Sequence, residues 1–173
     1  DAGCITTNDE ELAQKFKVFR NYGSRVRYQN EVVGANSRLD ELQAGLLRVK
    51  LTHLEEFNVE RCKIAERYLE ELNPCLILPQ IRPGADSTWH QFVVRVRNGK
   101  RDNFMNYLKE KEIGTIIHYP IPPHLSKAYA YLGKKRGDYP ITEQYADEVL
   151  SLPMYNGMTD EEITTVIDAI NKY

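Results

Sequence analysis

Residues 37–72 read SRLDELQAGLLRVKLTHLEEFNVERCKIAERYLEEL, and this stretch decides how the rest of the chain is organised. Its apolar side chains recur at the spacing of one face of an α-helix. Ser37 is a suitable N-cap, and Asn73 followed by Pro74 stops the pattern. A helix of about 35 residues would reach about 50 Å, which is farther than one small domain is wide. We therefore expect it to join two domains, either as a straight helix or with a bend. The apolar stripe consists of Leu39, Leu42, Leu46, Val49, Leu54, Phe57, Ile64, Tyr68 and Leu72.

The composition is that of an ordinary soluble globular protein. The chain has 173 residues, of which 42% are hydrophobic and 28% are charged. Its formal net charge of -2 gives no general attraction to nucleic acid or to an anionic membrane. Neither a run of about 18 apolar residues nor a signal-peptide pattern is present, so we expect a cytoplasmic protein. The three cysteines lack paired metal-ligand spacings, which predicts free and mostly buried thiols.

The first third of the chain predicts a strand, a helix and a loop. Residues 1–7 form a short β-branched run typical of a strand, and a strand there needs neighbours, so we expect the sequence to be a fragment. Thr7 or Asn8 can cap a helix over residues 9–21. Residues 22–36 show no sustained period and carry glycines near both ends, which indicates an irregular or hairpin-like excursion.

Beyond Pro74 the pattern changes to short strands mixed with helices, as in an α/β sandwich. Residues 89–97 alternate, which predicts a strand with His90, Phe92, Val94 and Val96 on one face. Further segments predict a helix over 101–112, a strand over 114–119 that ends in a proline-rich turn, and a helix over 141–150.

The final helix has the most complete local pattern in the chain. Thr159 and Glu162 have the spacing of a capping box. A full apolar stripe follows, made of Ile163, Val166, Ile167 and Ile170.

The spacing of the residues does not by itself identify a class of enzyme. The sequence has no glycine-rich phosphate loop, nucleophile elbow or metal-binding Cys/His spacing. His118 and His124 lie six residues apart, but two histidines without a nearby carboxylate or thiol make a weak metal site.

One signature run and five further motifs span essentially the whole chain. The run is NSRLDELQA at residues 36–44, which continues into LRVKL at 47–51. The others are DAG at 1–3 with TTNDEEL at 6–12, RNYGS at 20–24, WH at 89–90, IHYP at 117–120 with Pro122 and His124, and LSLPMY at 150–155. In these motifs and their order the chain resembles the DegT-type nucleotide-sugar aminotransferases, within the fold type I pyridoxal-phosphate enzymes.

The resemblance implies an α/β fold that is only the C-terminal half of such an enzyme. Residues 1–50 would be the end of the large cofactor-binding domain and the start of the linking helix, and residues 51–173 a small C-terminal α/β domain. The family's Schiff-base lysine lies a few residues upstream of the Asp-Ala-Gly segment. No lysine of this chain matches it, so we nominate no catalytic residue and expect the fragment alone to be inactive and not to retain pyridoxal phosphate.

The resemblance implies that Asn36 reaches the neighbouring subunit's active site and donates to the cofactor phosphate. The alternative is that Asn36 caps or turns the chain before the long helix. Arg38 could grip a substrate carboxylate or phosphate, or could pair with Asp40 or Glu41 within the chain.

Further candidates for substrate binding lie at two places. His118 and Tyr119 resemble residues at the active-site edge, whereas the alternative is a strand end packed on the small-domain core. His90 is interpreted as a hydrogen-bonded core histidine. One loop contains Arg25, Arg27 and Tyr28. This loop either covers the substrate and grips its diphosphate, or is simply solvated.

The implied parent enzyme moves an amino group from glutamate to a nucleotide-linked keto-sugar, and the motif at 37–43 looks closest to members acting on dTDP-3-keto-6-deoxyhexoses. Family members are homodimers with shared active sites, and a role in polysaccharide biosynthesis follows from the resemblance. An alternative is a non-catalytic dimerisation or binding module. A transcriptional regulator is disfavoured, because no basic recognition helix is present.

Overall fold

The computed structural model describes residues 2–173 and divides into two compact units. The first unit comprises residues 1–54 and the second comprises residues 55–173. Each unit has its own two-stranded antiparallel sheet. Among residues 2–173, none of the helices combines the length and the apolar composition needed to cross a membrane.

The first helix, α1, spans Glu10–Phe19 and confirms the predicted helix. Its N-cap is Asp9, whose side chain accepts a hydrogen bond from the Leu12 amide at 3.0 Å. The predicted caps Thr7 and Asn8 were wrong, since the Thr7 hydroxyl instead accepts from the Asp9 amide. The predicted strand was also wrong for residues 2–7, which lack strand pairing because no described segment lies alongside to complete their backbone hydrogen bonds.

A small hairpin follows α1 and confirms the hairpin-like reading of residues 22–36. Strand β1 spans Ser24–Val26 and pairs antiparallel with β2, Gln29–Asn30. Gly23 has φ +74°, and a Cβ placed there would lie 1.8 Å from the Val32 carbonyl oxygen. Only glycine permits both this backbone conformation and this close approach.

The long apolar stretch forms two helices, so the prediction of one helix over 37–72 was wrong. Helix α2 spans Glu41–Leu51, with Asp40 rather than Ser37 at its N-cap, and α3 spans Leu54–Glu71. Between the two helices, the Thr52 hydroxyl donates a hydrogen bond to the Val49 carbonyl at 2.7 Å. The threonine side chain therefore bonds back to the backbone of the last turn of α2. The break lies at the boundary between the two compact units.

The sheet of the second unit is shorter than predicted. Strand β3, Phe92–Arg95, pairs antiparallel with β4, Val149–Leu152. The strand predicted over 89–97 begins only at Phe92, because Trp89 has a left-handed backbone with φ +48° and disrupts the alternation. The strand predicted over 114–119 is reduced to a single bridge between Ile116 and Ser151.

Three further helices pack around this sheet. Helix α4 spans Arg101–Glu110, α5 spans Pro140–Glu148, and α6 spans Asp160–Asn171. The helix predicted over 141–150 therefore ends early, and its last two residues belong to β4. Short 3₁₀ turns lie at Pro123–Leu125 and Lys127–Leu132. The largest core side chains that are fully shielded from solvent are Tyr68, Phe92, Val94, Phe104, Leu108, Leu150 and Ile170.

The cysteines only partly follow the expectation. All three are free, as predicted. Cys4 and Cys75 are exposed and Cys62 is half-buried, so the prediction that the thiols are mostly buried was wrong.

The capping box of α6 is confirmed and provides a stability test. The Thr159 side chain accepts from the Glu162 amide, and the Glu162 carboxylate accepts from the Thr159 amide. Replacing Thr159 with alanine removes this cap and is expected to destabilise the fold by about 1 kcal/mol in urea unfolding. Thr165→Ala, within the same helix, is the control. It is expected to be neutral, because alanine is the better helix former there, and an equal loss in both variants would contradict the role of the cap.

Candidate functional site

Asn36 and Arg38 form one cluster in the first unit. Asn36 makes an antiparallel bridge with Asn21, and the Ser37 amide donates to the Arg20 carbonyl at 2.9 Å, so the backbone on both sides is held. The Arg38 Nε donates to Asn36 Oδ1 at 3.2 Å. The Arg38 guanidinium also lies over the Tyr22 ring, 5.3 Å from its centre. Asn36 is not the helix cap, since that position is held by Asp40.

The geometry of this cluster favours an anionic ligand. Because Asn36 Oδ1 already accepts from Arg38, the amide nitrogen is the part of the side chain that remains to donate. Both side chains are exposed, and one of them carries a positive charge. A neutral donor beside a guanidinium suits the oxygens of a phosphate or a carboxylate.

The hairpin presents the other candidates of the first unit. Arg25 is paired with Glu31, with 3.1 Å between Arg25 Nε and Glu31 Oε2, on the exposed surface. Arg27 lies over the Tyr28 ring at 4.9 Å. Tyr28 is 84% exposed and has φ +69°, which places it at the turn of the hairpin. The three residues therefore form an exposed cationic and aromatic tip.

The second unit holds His118, Tyr119 and His90. The Nδ1 of His118 lies 2.8 Å from Ser151 Oγ, and the ring is half-buried. Tyr119 is 72% exposed and its ring stands edge-on to that of His118. The interpretation of His90 as a core histidine was wrong, because His90 is exposed and the neighbouring Trp89 is the buried residue. His90 and His118 line the same small cavity.

Sequence reasoning missed a buried pair formed by His124 and Glu143. His124 Nε2 lies 2.9 Å from Glu143 Oε1, and the Gly137 amide lies 2.8 Å from both carboxylate oxygens. Burial alone would raise the pKa of Glu143, but the hydrogen bonds from Gly137, His124 and Tyr139 hold it below its ordinary value of 4.5. The pair joins the 3₁₀ turn at Pro123–Leu125 to α5. Within residues 2–173, no group of three histidine, cysteine or acidic side chains could hold a metal ion.

This pair predicts a pH-dependent stability. A carboxylate with a depressed pKa in the folded state contributes stability above its unfolded pKa, and loses it as pH falls through the folded value. Glu143→Gln is therefore expected to be less stable than the wild type at neutral pH. The difference in unfolding free energy should shrink as pH falls below about 4.5. Urea unfolding across pH 3–7 measures it, with the exposed Glu110→Gln as the control for loss of one charge. A difference that grows at low pH would contradict the pairing.

The comparisons with known proteins agree with one another. A model of the DegT/DnrJ/EryC1/StrS aminotransferase family matches residues 1–171. A dTDP-3-amino-3,6-dideoxy-alpha-D-galactopyranose transaminase from Aneurinibacillus thermoaerophilus is 48% identical over 172 residues, covering 99% of this chain and 46% of the relative.

Two solved structures show the same fold. DesV from S. venezuelae, solved in complex with a ketimine intermediate, matches with a TM-score of 0.92 at 41% identity, over 96% of this chain and 45% of that one. The structure of ntda from Bacillus subtilis with bound cofactor pmp matches with a TM-score of 0.86 at 31% identity, over 95% of this chain and 40% of that one.

The chain therefore belongs to the DegT/DnrJ/EryC1/StrS aminotransferase family. Its α/β fold corresponds to a little under half of the matched aminotransferase structures. The chain likewise spans about half the length of the curated relatives it matches.

Proposed function

We propose that this chain is the C-terminal part of a pyridoxal-phosphate-dependent aminotransferase that moves an amino group from glutamate to a nucleotide-linked keto-sugar. The observation that carries this proposal is the family match over residues 1–171, together with 48% identity to a transaminase of a dTDP-linked 3-amino sugar. That identity favours a dTDP-3-keto-6-deoxyhexose as the acceptor.

The donor set of the first unit fits the phosphate end of the cofactor. Asn36 offers its amide nitrogen, and Arg38 holds the opposite end of that amide in place. When bound there, pyridoxal phosphate would supply the chemistry that carries the amino group from the donor to the acceptor carbonyl. In this proposal Asn36 orients the phosphate in the neighbouring subunit of a homodimer. In the same proposal, residues 1–50 are the last part of the large cofactor-binding domain and the start of the linking helix. Residues 51–173 form the small C-terminal domain.

The other exposed candidates are assigned to the substrates. Arg38 can grip a substrate carboxylate or phosphate with the nitrogens not used by Asn36. The cationic and aromatic hairpin tip, Arg25, Arg27 and Tyr28, suits the diphosphate of a sugar nucleotide. His118 and Tyr119 are proposed to contact the sugar, since both reach the surface of the second unit.

The alternative is a non-catalytic dimerisation or binding module. It is distinguished by comparing residues 1–173 alone with the complete protein at the length of its relatives. We expect the complete protein to acquire the visible absorption band of bound pyridoxal phosphate and to aminate the keto-sugar with glutamate. Residues 1–173 alone should do neither, because none of their lysines matches the family's cofactor position. A complete protein that stays colourless and inactive would favour the binding module.

A further inference from the structure

Ser151 is a buried hydroxyl in an otherwise apolar strand. It lies within β4 between Leu150 and Leu152 and is 6% exposed. A buried hydroxyl is costly unless it is hydrogen-bonded, and the partner of Ser151 Oγ is His118 Nδ1 at 2.8 Å.

The backbone holds the two residues together independently of this side-chain bond. The Ser151 amide donates to the Ile116 carbonyl at 2.8 Å, and the Ile116 amide donates back to the Ser151 carbonyl at 3.3 Å. Ser151 is also in register with Val93 of β3. Its position is therefore fixed from both sides, and His118 follows only two residues after the bridge. A rigid strand thus carries the group that holds the imidazole.

We propose that Ser151 is a positioning residue, which fixes the His118 ring so that Nε2 binds a hydroxyl group of the nucleotide-linked sugar. This rests on the function proposed above. Because Nδ1 is engaged by Ser151, Nε2 is the ring nitrogen left for a ligand.

The adjoining cavity has the size and polarity for part of a sugar. Its volume is about 170 Å³, and its polar lining includes His90, Gln91, His118 and Ser151. Complete sites for drug-sized ligands are usually about 300–1,000 Å³, so this cavity fits one edge of a sugar ring and not a whole sugar nucleotide. The lining contains no lysine, arginine, aspartate or glutamate. Imidazole, amide and hydroxyl groups can both donate hydrogen bonds to sugar hydroxyl groups and accept hydrogen bonds from them.

A double-mutant cycle on the complete protein tests the proposal. The readout is the Kd of the dTDP-linked 3-amino-6-deoxyhexose product by calorimetry. Ser151→Ala and His118→Ala are each expected to weaken binding by about fivefold to tenfold, the scale of one neutral hydrogen bond. Because Ser151 acts through His118, the double variant should bind no more weakly than His118→Ala. Ser151→Thr, which keeps the hydroxyl, should lie within about twofold of the wild type.

Leu150→Val is the matched control for destabilisation of β4. Leu150 is fully buried and does not line the cavity, so its truncation should lower the melting temperature without changing the Kd. An unchanged Kd in Ser151→Ala, or additive losses in the double variant, would overturn the positioning role. Product binding without amine transfer would overturn the proposed reaction alone, whereas a wild type that binds no product would overturn both.

Discussion

Phe92→Ala is expected to lower the free energy of unfolding by about 3–5 kcal/mol, measured by urea denaturation. Phe92 is fully buried in β3, where its ring meets that of Tyr68 edge-on at 5.1 Å and stacks on that of Trp89 at 5.4 Å. Alanine would leave a cavity between α3 and the sheet. Since domains are typically stable by about 5–15 kcal/mol, this loss is a large fraction of the whole.

Val93→Ala is the matched control for Phe92. It is the next residue of the same strand, on the opposite face, and its side chain is only half-buried. Its truncation removes fewer buried atoms and is expected to cost about 1 kcal/mol. Equal losses for the two variants would contradict the assignment of the core to the Phe92 face.

Asn36→Asp in the complete protein is expected to weaken binding of pyridoxal phosphate by about 10- to 150-fold. The change keeps the shape of the side chain but replaces the amide donor with a carboxylate, which repels the phosphate. A hydrogen bond to a charged group contributes about 1.5–3 kcal/mol, from which the fold-change follows. The carboxylate would still accept from Arg38, so the local structure should persist. Equilibrium dialysis against the free cofactor gives the dissociation constant.

Asn103→Asp is the control for this charge change. Asn103 is exposed on α4, in the second unit, where an added carboxylate leaves the Asn36 cluster untouched. Cofactor affinity should not change. If Asn36→Asp also bound the cofactor as tightly as the wild type, Asn36 would have no part in holding the phosphate.

Local sequence signals predicted the helices that depend on local contacts. Helix α6 was predicted together with its capping box, because Thr159 and Glu162 satisfy each other within one turn. The break between α2 and α3 was missed, since the apolar period runs across it without a proline or glycine. Residues 149 and 150 were assigned to a helix, whereas pairing with β3 makes them strand. Such pairing depends on residues distant in sequence.

The candidate site also contains some residues that the sequence could indicate and others that only the fold brings together. Asn36 and Arg38 are only two residues apart in the sequence, so a motif could indicate them and the structure brings them into contact. Ser151 and His118 are 33 residues apart, and only the bridge beside β4 brings them together. His90 was wrongly assigned to the buried face of a strand, because the alternation of side chains was extended back to Trp89. The left-handed backbone of Trp89 breaks this alternation. A serine inside an apolar strand was the one sequence signal for the buried contact.

Transfer of ¹⁵N from labelled glutamate to a sugar nucleotide tests the central claim most directly. The complete protein would be incubated with pyridoxal phosphate, ¹⁵N-glutamate and a dTDP-3-keto-6-deoxyhexose, and the product analysed by mass spectrometry. We expect a dTDP-linked amino sugar that carries the label, formed together with 2-oxoglutarate. A cofactor-loaded protein that leaves both the keto-sugar and glutamate unchanged would contradict the assignment.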